Sequence, residues 1–130
     1  MPTDPSVLRV PAAVVAHLRD LSLLSHEVLA ILGLSASGRL VCEVRVVGNA
    51  HGVRATPADF LGDLLRHKAK AFILAHNHPS GCVEPSAADL QFTRRARDAG
   101  RLCGVRLADH VILAGGRWLS FRDAGWLEDP

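Results

Sequence analysis

The chain has 130 residues, 48% of them hydrophobic and 22% charged, with a formal net charge of +2 at pH 7. That length suits one domain with its own core, and no apolar run approaches the roughly 20 residues that a membrane-crossing helix requires. The charge is too slight to make nucleic acid the default partner, and three cysteines without a CxxC pair argue against a disulfide framework or a four-cysteine zinc site.

The opening "MPTDPSVLRV" has neither the basic nor the long apolar segment of a signal peptide, so a cytoplasmic location is expected and residues 1–10 read as an extension. Pro11 then begins "PAAVVAHLRDLSLL", an amphipathic helix with proline in its first turn, where the missing N–H costs nothing. "EVLAILGL", residues 27–34, is nearly continuous apolar sequence. "SASGR" supplies turn residues, and "LVCEVRVVG", residues 40–48, alternates with period two over part of its length. Together they predict a hairpin whose first strand is buried on both faces.

Thr56, Pro57 and Asp59 stand at cap, first-turn and capping-box positions, predicting a helix from about Pro57 to Lys68. "KAFILAH", residues 70–76, predicts a short central strand. Beyond a Pro/Gly loop, Ser86 and Asp89 have capping-box spacing. Ala88, Phe92, Ala96 and Ala99 share a face of the helix they open, and Gly100 is its expected stop. Two strands, around 104–107 and 110–114, lead through "GGRW" as a hairpin turn into "WLSF", and 128–130 is a tail. The order predicts a single α/β domain over residues 11–127, a mixed β-sheet flanked by helices.

The chemistry concentrates in "ILAHNHPSGCVEPSAADLQ", residues 73–91. Residues two apart on a strand point the same way, so His76 and His78 can aim both imidazoles at one point. An HxH pair alone says little. Pro79, Ser80 and Gly81 let the chain turn back, however, so that Asp89 in the first helical turn can reach the same point. Two imidazoles and a carboxylate leave the fourth tetrahedral position of zinc open to water, the arrangement of a catalytic rather than a structural ion. Such a site needs a base, and Glu27 at the start of the most apolar strand is the best candidate, with Glu43 and Glu84 behind it. The alternative is that Glu27 is an exposed strand-end residue. Ser86 is an N-cap, an oxyanion donor, or both, and Asp89 could serve only as a cap favoured by the helix dipole.

"AHNHPSGCVEPSAAD" resembles the JAMM metalloprotease signature, HxH, seven residues, then SxxD, which His76, His78, Ser86 and Asp89 match element by element. "ILAHNHPSG", the later "DH", "GGRWLSF" and "EVLAILGLSASGRL" look specifically like the JAMM domain of bacterial RadC-like proteins, from about Pro11 to Leu127. The resemblance implies a JAMM/cytidine-deaminase-like architecture and one zinc ion per chain, held by His76, His78 and Asp89. It also implies Glu27 as general base, Ser86 steadying the tetrahedral intermediate, and hydrolysis of peptide or isopeptide bonds in a protein or peptide partner. RadC-like proteins usually carry an N-terminal helix-hairpin-helix-like region associated with DNA. No room for it is expected here, which weakens a DNA role. Cys82 stands where a polar loop residue would be expected, either as a small loop residue, as a fourth ligand or as a redox-sensitive group.

The contiguous string "HNH" is not the dispersed nuclease motif, "HEVLA" lacks the second histidine of an HExxH site, and the PCxxC of zinc deaminases is missing. Two rival readings remain. Arg94, Arg95, Arg97, Arg101 and Arg106 could contact phosphates or simply form a solvated helix face, and the domain could be a catalytically inactive scaffold.

Overall fold

The computed structural model describes residues 4–48 and 54–127. Helix α1 spans Pro11–His17 and is followed by a 3-10 turn over Arg19–Leu23. Strands β1 (Val28–Leu34) and β2 (Leu40–Val47) form the expected hairpin. A 3-10 turn at Pro57–Asp59 leads into α2 (Leu61–Arg66), and then come β3 (Ala71–Asn77), α3 (Ala87–Leu102), β4 (Arg106–Ala114) and β5 (Arg117–Ser120). The strands lie in the order β2-β1-β3-β4-β5. β3 and β4 are parallel, joined by α3, and the other pairs are antiparallel. This is the mixed sheet with flanking helices that the element order predicts.

Alternation along the strands divides the core into two layers. Val28, Ala30 and Leu32 of β1 with Ile73 and Ala75 of β3 pack under α1 and its 3-10 turn, against Val14, Leu18 and Leu21. Leu29 and Ile31 with Phe72 and Leu74 pack on the opposite side, against Phe60 just ahead of α2, Leu64 of α2 and Ala96 of α3. β1 is therefore buried on both faces, as its unbroken apolar sequence implies.

The helix read over residues 11–24 is divided into α1 and a 3-10 turn, and three further boundaries differ from the sequence reading. The helix expected over Pro57–Lys68 breaks at Phe60, whose backbone leaves helical geometry (φ −138°, ψ −20°) so that its ring sits between Phe72 and Phe92 at 5.7 and 6.4 Å. Gly100 does not stop α3. It lies inside the helix, where a Cβ would come within 2.5 Å of the Val105 carbonyl and 2.7 Å of the Phe72 ring, so the glycine permits helix and sheet to touch. The stop is Gly104, in the left-handed region at φ +78°. Finally, the two short strands are one. Phe72 pairs with Leu107 but Ile73 with Asp109, leaving Ala108 as an extra residue in β4. The Gly115–Gly116 turn into β5 is as expected, with positive φ at both residues.

The extra residue reverses which side of the sheet each later side chain of β4 faces. With it, His110 pairs with Leu74 and lies on the α3 side. Without it Asp109 would hold that place.

Candidate metal centre

The C-terminal end of β3 and the N-terminal end of α3 meet at one edge of the sheet, where open α/β sheets bind their ligands. His76 projects from β3 toward α3, and His78 follows directly on the last residue of the strand. The Ser86 hydroxyl accepts the Asp89 N–H at 3.0 Å, and Asp89 Oδ2 accepts the Ser86 N–H at 2.9 Å. This reciprocal cap fixes the first turn of α3 and sets the Asp89 carboxylate against both imidazoles. Asp89 Oδ1 lies 3.4 Å from His76 Nε2, Asp89 Oδ2 3.2 Å from His78 Nε2, and the two Nε2 atoms 2.8 Å from each other. Among the described residues this is the one cluster of three or more histidine, cysteine or acidic side chains able to hold a metal ion.

The donor set fits a metal. His78 Nδ1 donates to the Cys82 carbonyl at 2.7 Å, so its hydrogen is on Nδ1 and its lone pair is on Nε2, facing the cluster. Two imidazole nitrogens and a carboxylate oxygen suit zinc. Burial works to raise the Asp89 carboxyl, but its close contacts with His76 and His78 outweigh it and hold the group well below the carboxylate range. The same contact with Asp89 raises His78. The carboxylate thus remains an anion ready to ligate.

Glu27 immediately precedes β1. Extending the Leu29↔His76 register by two residues sets it opposite His78, and it lines a 340 Å³ cleft together with His76, Asp89, Phe92, Arg54 and Arg95. Its neighbours are clamped by Asn77, which is 1% exposed. The Asn77 side-chain amide donates to the His26 carbonyl at 2.8 Å and accepts the Val28 N–H at 2.7 Å, gripping the backbone on either side of Glu27. The other two candidate bases lie elsewhere. Glu43 is held by His17 and Arg45 at 2.6 and 2.7 Å, and Glu84 is exposed in the loop. Ser86 is exposed and outside the cleft lining, next to it through Asp89.

Cys82 meets the site through its carbonyl, while its thiol is exposed and not part of the cluster. The arginine group divides. Arg95 lines the cleft, Arg106 borders a separate cavity beside Lys70 and Arg122, and Arg94, Arg97 and Arg101 run along the outer side of α3.

Sequence reasoning missed three buried polar residues. Asn77 is the first. His110, 1% exposed, lies behind His76 with Nε2 2.8 Å from His76 Nδ1, and Thr93, 3% exposed, lies 2.6 Å from His110 Nδ1. Burial pushes His110 well below the ordinary histidine range, which favours its neutral form. The signal available in sequence was that buried polar groups need partners, since each of these residues lies in an otherwise apolar or helical run.

A five-stranded mixed sheet with flanking helices, carrying this cluster at the β3/α3 edge, defines an α/β domain of the JAB/MPN kind. The family model of the RadC-like JAB domain matches residues 8–126, and the chain belongs to that family. It is 43% identical over 126 residues to a UPF0758 protein of Azotobacter vinelandii, covering 95% of this chain and 56% of that protein. It is 40% identical over 121 residues to one of Aquifex aeolicus, covering 92% and 52%. The chain thus spans about half the length of the curated relatives it matches. Among the described residues no helix is long and apolar enough to cross a membrane.

Proposed function

We propose that the domain is a zinc-dependent hydrolase, a metallopeptidase or isopeptidase acting on a protein or peptide. The observation that carries this reading is the convergence of His76 Nε2, His78 Nε2 and the Asp89 carboxylate in a cleft that Glu27 also lines. Held by those three residues, zinc supplies Lewis acidity that makes water a nucleophile near neutral pH. The Glu27 carboxylate accepts the proton of the attacking water. The water oxygen joins the carbonyl carbon as that proton leaves, and Glu27 then returns the proton to the amine as the C–N bond breaks. The Ser86 oxygen already accepts the Asp89 N–H, which leaves its hydroxyl hydrogen to donate to the developing oxyanion. Asn77 keeps Glu27 in place by holding the chain on both sides of it.

Metal analysis of protein purified without chelator tests the first step, with about one zinc per chain expected. A panel of peptide and isopeptide substrates tests the second. Glu27→Gln should keep the metal and lose at least about a hundredfold in hydrolysis, whereas His76→Ala should lose both. A metal-free protein, or a Glu27→Gln variant of undiminished activity, would rule out this mechanism.

A further inference from the structure

The hydrogen bonds behind His76 form a chain whose direction is fixed at its far end. The Thr93 hydroxyl donates to the Asp89 carbonyl, one helical turn back, at 2.7 Å. A hydroxyl has one hydrogen, so with that hydrogen committed the Thr93 oxygen can only accept from His110 Nδ1, 2.6 Å away. His110 Nδ1 must therefore carry a hydrogen. Neither nitrogen of this buried ring meets a carboxylate, and a neutral imidazole has a single N–H, so His110 Nε2 presents a lone pair to His76 Nδ1 at 2.8 Å. His76 Nδ1 donates into it. The lone pair of His76 is left on Nε2, the atom facing His78 and Asp89.

We propose that His110 and Thr93 are positioning residues that place the hydrogen of His76 on Nδ1 and so present its Nε2 to the metal. The inference rests on the metal-centre reading above. Partners behind a ligating histidine orient the ring and fix its tautomer, and their loss weakens metal binding about 10- to 100-fold. Two features hold the chain in register. Phe121 stacks on His110 at 4.6 Å and 23°, fixing the ring plane, and the extra residue Ala108 brings His110 to this side of the sheet. Asp89 acts twice, its side chain toward the metal and its main-chain carbonyl at the end of the chain that prepares His76.

Nitrogen-15 NMR of the metal-free protein reads the tautomers directly. Both His76 and His110 should carry hydrogen on Nδ1, and an Nε2–H form of His110 would overturn the proposal. Zinc affinity, measured by competition with a chromophoric chelator, should fall about 10- to 100-fold in His110→Phe, which keeps the stacking ring and removes both nitrogens. Thr93→Val should weaken zinc in the same direction and release His110 into a mixture of tautomers, with Thr93→Ser restoring both. If His110→Phe does not fold, the Thr93 pair decides. Wild-type affinity in folded His110→Phe or in Thr93→Val would count against the chain. A wild-type protein that binds no zinc defeats the hydrolase reading, while the tautomer of its His110 still accepts or rejects this one.

Discussion

His78 donates to the main-chain oxygen of Cys82, which any residue at that position can offer, whereas the Cys82 side chain is exposed. Cys82→Ser should therefore leave zinc affinity within about twofold of wild type, because the carbonyl that orients the His78 ring is unchanged; chelator competition measures it. A large loss would mean that the thiol takes part. The residues that form the cluster were legible in sequence because their relations are local: two positions apart on a strand, three apart across a cap. His110, Thr93 and Asn77 were not. Their bonds join residues 17, 34 and 49–51 positions apart, and they exist only once β4 lies beside β3 and β3 beside β1. The asparagine between the two histidines was legible only as part of a false nuclease string, yet it anchors the chain that carries Glu27.

At the level of elements, caps and turns were readable where the chemistry is carried by the residues themselves. The Ser86–Asp89 box opens α3, and two glycines of positive φ close the β4–β5 hairpin. Endings that depend on a neighbour were misread. Gly100 has the composition of a stop, but it sits within α3, where the Val105 carbonyl and the Phe72 ring occupy the space a Cβ would need. Gly100→Ala separates the two effects. Helix propensity alone predicts a gain of about 1 kcal/mol, while forcing a methyl against backbone and ring predicts a loss of about 1–3 kcal/mol. The loss should win, as read from the denaturant midpoint. β4 was misread as two strands for a related reason: the Ala108 bulge interrupts the alternation by which a strand is recognised.

Across the whole molecule, the α1 layer is tied to the edge strand β2 by charge as well as by packing. His17 reaches Glu43 at 2.6 Å, and Arg45 bridges Glu43 and Asp20 at 2.7 and 2.5 Å. The hydrogen bond from Arg45 lowers Asp20. Burial works to raise Glu43, but His17 and Arg45 outweigh it and lower that group too. A carboxyl lowered in the folded state contributes stability that is present above its unfolded value, here 3.8 and 4.5, and lost as pH falls through the folded one. Acid titration of the melting temperature should thus show a decline below about pH 4.5 that Arg45→Gln flattens. Because the groups are partly exposed and screened, that substitution should cost only about 1 kcal/mol at low salt, and less in molar salt. The decline of β4's alternation at Ala108 has a wider consequence for recognising relatives. A chain of the same length whose strand ran past this point without a bulge would retain the whole cluster, every cap and the full HxH and SxxD spacing. It would nevertheless turn its buried imidazole to the wrong layer and leave the first histidine of the cluster free to hold its hydrogen on either nitrogen. Recognising members of this family able to hold a metal therefore calls for following the register of a strand beyond the motif, one that contributes no residue to the cluster.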